Sequence, residues 1–226
     1  MGLLENYSKI KAEISVAMQK SGRNSFPLLI AVTKTVPVET IQSLTSLGIT
    51  DVGENYVQEM LAKMRICSNF NWHFIGTLQK NKVKYVVGSV KLIHSVDSLP
   101  LAIEINKRAE KIGKTQAVLV QINQGEATKG GVPKEELEKF VSELNTLNWL
   151  ELKGLMAMPP YSNNPEDSRP YFREVRELLE FLNKGGVYKQ PLTELSMGMS
   201  GDYTVAVEEG ATILRIGTAL FGERKR

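Results

Sequence analysis

Short apolar runs alternate along this chain with longer stretches in which apolar residues return every third or fourth position. The first kind reads as buried β-strand and the second as amphipathic helix. Candidate strands are residues 28–33, 50–53, 72–76, 92–95, 117–121, 152–156, 193–196 and 213–216. Between them the spacing predicts helices over 38–47, 56–67, 80–87, 99–112, 134–144 and 169–182, and a short one over 203–209. Ahead of the first strand, Tyr7, Ile10, Ile14 and Ala17 form the apolar stripe of a further helix, about residues 3–20, which Ser21-Gly22 ends. Pro133 followed by acids suits a helix first turn, and Asp97-Ser98 before Leu99 is a plausible cap.

Eight strands alternating with helices point to a closed parallel (β/α)8 TIM-type barrel over about residues 28–222, preceded by the extra N-terminal helix, in one domain spanning 1–226. A doubly wound open sheet is the alternative, because alternation alone does not distinguish closure from an open edge. An open sheet of the dinucleotide-binding kind carries G-x-G-x-x-G after its first strand. Here that strand is followed by Lys34-Thr35-Val36-Pro37, which favours the barrel.

In such a barrel the site is built at the C-terminal strand ends. Read in order, these hold Thr33-Lys34, Gly53-Glu54-Asn55, His73 with Gly76, His94, Asn123, Met156 to Pro159, Ser196 to Ser200 and Arg215 to Thr218. Lys34 closes the apolar run Leu28 to Val32. A lysine there either snorkels its charge to water or, with its pKa lowered by burial, serves as an amine nucleophile. Arg215 interrupts an apolar strand and needs an acceptor, either an acid on a neighbouring strand or a ligand. Gly217-Thr218 and the loop Ser196-Met197-Gly198-Met199-Ser200-Gly201-Asp202 lie where barrels bind phosphate. Ser200 also suits the N-cap of the short helix after it.

Other candidates carry less. Gly125 to Gly131 lacks the G-K-[ST] ending of a P-loop. His73 reads as a hydrogen-bonded structural histidine rather than a general base. Tyr161 and Tyr203 have no evident activating partner, and Arg65 alone does not make Cys67 a catalytic thiol.

With 226 residues, 42% hydrophobic and 23% charged, the chain can bury one sizeable core. A net charge of +3 with scattered basic residues argues against nucleic acid as a partner. A single cysteine fits a reducing cytoplasm. No signal-peptide pattern or membrane-spanning run is evident, and Asn6 stands where a myristoylation signal after Gly2 wants serine or threonine. Two histidines and one cysteine, far apart, make no metal site.

Six motifs together closely resemble the pyridoxal phosphate homeostasis protein family (the YggS/PROSC proteins). They are Ala31-Val32-Thr33-Lys34, the run Gly53 to Glu59, the run Trp72 to Lys82, Gly154-Leu155-Met156-Ala157-Met158, Ser196-Met197-Gly198-Met199-Ser200, and the run Arg215 to Gly222. Small departures are Thr33 for a common serine, Gly201 at an often acidic position, and Thr128 opening a usual S-K-x-G pattern.

The resemblance implies a fold-type III barrel like the N-terminal domain of alanine racemase, with pyridoxal 5′-phosphate (PLP) as cofactor. By that likeness Lys34 holds the cofactor covalently as N6-(pyridoxal phosphate)lysine and Arg215 faces the pyridine nitrogen. Ser200, Gly217 and Thr218 would surround the phosphate, and Asn55, His73 and Met199 would line the cofactor. No catalytic residue follows from the likeness. The expected function is PLP homeostasis, a cytoplasmic monomer that buffers the cofactor or delivers it to apoenzymes without turnover.

An arginine at the ring nitrogen weakens the cofactor as an electron sink. A two-base racemase needs a second acid/base facing the lysine, which in the resembling racemases comes from a separate domain. A small amino-acid racemase is the second reading, and a phosphate-binding barrel without PLP the third.

Overall fold

The computed structural model describes residues 2–125 and 130–223. Helix α1 (Leu3–Ser21) comes first. The chain then runs β1 (Leu28–Val32), α2 (Val38–Ser43), β2 (Asp51–Glu54), α3 (Val57–Met64), β3 (Asn71–Phe74), α4 (Val83–Val86), β4 (Leu92–Val96) and α5 (Leu99–Ile112). The second half runs β5 (Gln116–Gln121), α6 (Leu137–Leu144), β6 (Leu150–Met156), α7 (Arg169–Lys184), β7 (Glu194–Ser196), α8 (Tyr203–Glu208), β8 (Ile213–Ile216) and α9 (Thr218–Phe221). Each strand pairs in parallel with the next, and β8 returns to β1 with Ile30 opposite Arg215, so the sheet is a closed barrel rather than an open one.

The pleat divides the apolar residues into two cores. Outward-facing side chains such as Ala31, Val52, Phe74, Ile93 and Val118 join the helices in one large cluster. Inward-facing Ile30, Leu92, Leu119, Met156 and Ile213 make a second, smaller one inside the barrel. Helix α1 lies outside the alternation and packs on α8 and α9, burying Ile10, Ile14 and Ala17. Burying each isoleucine contributes about 2–3 kcal/mol. Gly22 ends α1 in the left-handed region, its amide and that of Arg23 bonding back to Gln19 and Met18.

Several helices depart from the spacing pattern. The stretch 38–47 is helical only to Ser43 and then tightens into a 3-10 turn, Leu44–Leu47. The hydroxyls of Ser43, Thr45 and Ser46 each donate to a backbone carbonyl three residues earlier, competing with the α-ladder. Residues 80–82 and 134–136 are likewise 3-10 turns before α4 and α6. Ser98 occupies the N-cap of α5, but its side chain makes no capping bond. No helix among the described residues is long and apolar enough to cross a membrane.

Candidate functional site

A cavity of about 440 Å³ opens at the C-terminal mouth of the barrel. Lys34, Asn55, Met199, Ser200, Arg215, Gly217 and Thr218 all line it. A larger groove of about 670 Å³ shares Ser200, Gly201 and Thr218 with it but lies on the α1 side. Glu13 and Glu223 border that groove and Arg215 does not reach it.

Lys34 leaves β1 between two tethered neighbours. Lys63, on α3 and almost fully buried, donates to the Thr33 carbonyl at 2.6 Å, to Glu54 Oε1 at 2.8 Å and to Glu59 Oε1 at 2.6 Å. The Thr33 hydroxyl donates to the same Glu54 oxygen, and the Thr35 amide donates to Glu59. Thr35 has a φ of 62°, a conformation that costs a β-branched residue about 1–3 kcal/mol. The Lys63–Glu59 pair holds that bend on the residue after Lys34. Burial pushes the Glu54 carboxyl up, only partly offset by its bonds from Lys63 and Thr33. At the end of β2, Asn55 sits under Gly76, where a Cβ would come within 2.2 Å of the Asn55 carbonyl oxygen.

Arg215 is the buried cation of the site, 3% exposed. Nη1 donates to the Ser196 carbonyl at 2.7 Å and to Ser196 Oγ at 2.6 Å, and Nη2 donates to the Ala157 carbonyl at 2.8 Å. All three acceptors are neutral. The expected alternative of an ion pair with a neighbouring acid fails: Arg215 makes no salt bridge to any carboxylate among the described residues. Burial pushes its pKa down to about 10, with the charge of Asp202 working the other way, so it stays a cation at neutral pH.

The loops after β7 and β8 meet at Ser200. Its Oγ accepts from the amides of Gly217 at 3.2 Å and Ala219 at 3.0 Å, so it ties the two loops together rather than capping α8. The N-cap of α8 is Asp202, which accepts from the Met199 amide and from the Ser168 hydroxyl. Gly198 has a φ of +90°, and a Cβ there would lie 2.5 Å from that of Ala206, so only glycine lets the loop turn this close to α8.

His73 does not reach the cavity. It is buried on β3 with its Nε2 2.9 Å from Asp51 and its Nδ1 3.1 Å from His94. Tyr203 has a partner after all, because its hydroxyl donates to Glu13 on α1, away from the mouth. Tyr161 lines the cavity but is 87% exposed. Cys67 is buried, and that burial pushes its thiol up. The sequence run through Thr128 and Lys129 lies outside the described residues, and no cluster of metal-ligand type occurs among those described. Spacing alone missed Lys63, whose only local signal is its Glu59–Lys63 pairing at i, i+4.

Residues 6–225 match the alanine racemase N-terminal domain family. A pyridoxal phosphate homeostasis protein from Aquifex aeolicus is 48% identical over 229 residues, covering 100% of both chains. PipY of Synechococcus elongatus, solved with PLP bound, superposes with a TM-score of 0.86 at 31% identity, covering 98% of this chain and all of that one. An alanine racemase of Clostridium difficile shares the fold at 17% identity and a TM-score of 0.76, with 58% of its own length covered.

Proposed function

This chain belongs to the pyridoxal phosphate homeostasis protein family, and from that membership we propose that it binds PLP covalently through Lys34 and buffers or delivers it. The observation that carries the reading is Arg215, a buried guanidinium whose acceptors among the described residues are all neutral. A charge buried without a counter-ion is costly unless a ligand completes it.

The donor set fits the cofactor. Arg215 offers N–H groups to a pyridine nitrogen. Ser200 and Thr218 offer hydroxyls to a phosphate, and the Gly217 and Ala219 amides hold the Ser200 oxygen in place for it. The side chain of Asn55 has a buried oxygen with no hydrogen-bond partner among the described residues, a polar atom left for a ligand or water on the cavity wall. When bound, the cofactor supplies an aldehyde carbon for a lysine amine and a conjugated ring that accepts electron density. Lys34 would anchor the cofactor, Arg215 would donate to its ring nitrogen while staying charged, Met199 and Asn55 would line it, and the tethers on Thr33 and Thr35 fix the anchor's exit from β1. His73 acts from inside the barrel rather than by lining the cofactor.

Holding without turnover is favoured by how the two candidate tyrosines are engaged: Tyr161, at the cavity rim, is exposed with its hydroxyl donating to Asn163, and Tyr203 lies elsewhere. A second acid/base would have to face Lys34 across the cavity. Tyr203 is engaged by Glu13 outside it, and burial pushes its hydroxyl far up. On this reading the protein is a one-domain cytoplasmic monomer whose further partners are PLP-dependent apoenzymes.

Purified protein incubated with PLP is expected to gain a visible absorption band, and borohydride followed by mass mapping is expected to place the reduced adduct on Lys34. Lys34→Ala abolishes that adduct. A protein that stays colourless with added PLP overturns the cofactor reading. Lys34-dependent incorporation of solvent deuterium at the α-carbon of alanine or serine overturns the non-catalytic part alone.

A further inference from the structure

Below the cavity a hydrogen-bonded chain crosses the barrel interior. It runs from Arg215 Nη1 to Ser196 Oγ at 2.6 Å, then to His94 Nδ1 at 2.9 Å. From His94 Nε2 it reaches His73 Nδ1 at 3.1 Å, and from His73 Nε2 it reaches Asp51 Oδ1 at 2.9 Å. These five residues come from β8, β7, β4, β3 and β2, and none is more than 4% exposed. Lys91, half exposed, donates to the same Asp51 oxygen at 3.0 Å from the opposite end of the barrel.

Elementary donor and acceptor counting fixes every direction in the chain. Ionised Asp51 only accepts, so His73 carries its proton on Nε2. Burial pushes both histidines down, His94 most strongly, so the rings are neutral and His73 Nδ1 is a lone pair. His94 therefore donates from Nε2 and accepts at Nδ1 from the Ser196 hydroxyl. Ser196 Oγ in turn accepts from Arg215. All four donors point one way, from cation to anion, and such an aligned chain strengthens each acceptor in it.

Filling the barrel does not require these residues. Inward-facing Ile30, Leu92, Leu119, Met156 and Ile213 pack inside the same barrel as an apolar cluster. The histidines spend both ring nitrogens on the chain, and among the described residues Ser196 Oγ is the only side-chain acceptor that Arg215 has.

We propose that Ser196, His94 and His73 are positioning residues that hold the Arg215 guanidinium against the cofactor ring and so set the electronic state of bound PLP without touching it. The proposal rests on the PLP reading above. The titratable and charged groups that bear on it are Arg215, Asp202 and Lys34, which line the cavity, and Asp51 with Lys91 at the far end.

The test loads wild type, Ser196→Ala, His94→Leu and His94→Gln with PLP and follows the absorption spectrum against pH. Loss of one hydrogen bond to a charged group is expected to move the midpoint of the colour change by about one unit, tenfold in proton affinity, in Ser196→Ala and His94→Leu. Glutamine also offers one acceptor and one donor, so His94→Gln is expected to restore the wild-type midpoint. In the cofactor-free protein, imidazole 15N shifts are expected to show Nε2–H on both histidines. Loaded variants whose titrations superpose on wild type overturn the relay and leave the PLP reading standing. A His94 that carries its proton on Nδ1 overturns the direction of the chain and with it the proposal. A wild type that does not load overturns both.

Discussion

Replacing Lys63 by methionine tests whether the carboxylates beside Lys34 are held by one buried amine. The amine makes three hydrogen bonds of 2.6–2.8 Å, and its side chain is 9% exposed. Methionine keeps most of the packing volume of the stem but leaves Glu54, fully buried and already short of a partner at Oε2, facing no cation. Removing one member of a buried ion pair costs about 3–5 kcal/mol, because the remaining charge is left uncompensated. For a chain of this length that corresponds to a fall in Tm on the order of 6–20 °C, taking about 2–4 °C per kcal/mol.

The sign of the pH dependence follows from Glu54. Burial sets its folded pKa above the unfolded value even with Lys63 present. A carboxyl with a raised folded pKa favours the folded state below the unfolded pKa, and that contribution is lost as pH rises through the folded pKa. Without Lys63 the rise is larger, so the variant's deficit is expected to be smaller at pH 5 than at pH 8. Urea denaturation of both proteins at the two pH values measures this. The double variant Lys63→Met with Glu54→Gln is expected to recover a large part of the loss at pH 8. A deficit below about 1 kcal/mol, where exposed pairs fall, or one equal at both pH values, refutes the argument.

Two further changes read other parts of the site. Burial would raise the Asp51 carboxyl, but its bonds from His73, Asn71, Thr50 and Lys91 win and hold it well below the usual carboxylate range. That stability is present above the unfolded pKa and is lost as pH falls through the folded one. Asp51→Asn is therefore expected to lower Tm at neutral pH and flatten its decline below about pH 4, the ordinary aspartate value, in a thermal-melt series. Ser200→Ala removes the acceptor shared by the Gly217 and Ala219 amides. It is expected to weaken PLP binding about tenfold, read by spectral titration, while costing about 1 kcal/mol of stability in urea.

The barrel was legible because each part of its pattern is local. Residues 99–112 carry a proline in the first turn and a glycine after the last, and the helix Leu99–Ile112 has those bounds. Arg215 announced itself as a charge inside the apolar strand Ile213–Ile216. The stretch 38–47 was misread as one helix because apolar spacing does not register hydroxyls bonding back to their own turn. What stayed hidden is long-range. His94 and Ser196 are 102 positions apart, and Lys63 meets the Thr33 carbonyl across 30. Neither pairing leaves a period or a motif: His73 reads from its own strand as a hydrogen-bonded structural histidine, as its bonds to Asp51 and His94 make it, but its link through Ser196 to Arg215 is not legible.

The two cations of the mouth are supported in opposite ways, and the contrast bears on what the site does. The segment around Lys34 is held by Lys63, Glu54 and Glu59, charges that compensate one another before they reach the anchor. Arg215 is held by carbonyls and a hydroxyl, with the nearest anion of its chain, Asp51, four links away. A carboxylate in direct contact would have neutralised the guanidinium; neutral acceptors fix its place and leave its charge for the ligand. With PLP bound as proposed, a full positive charge at the ring nitrogen would oppose protonation there. On the proposed reading the ring would then draw less electron density from whatever is bonded to it, which would narrow the chemistry that the cofactor supports.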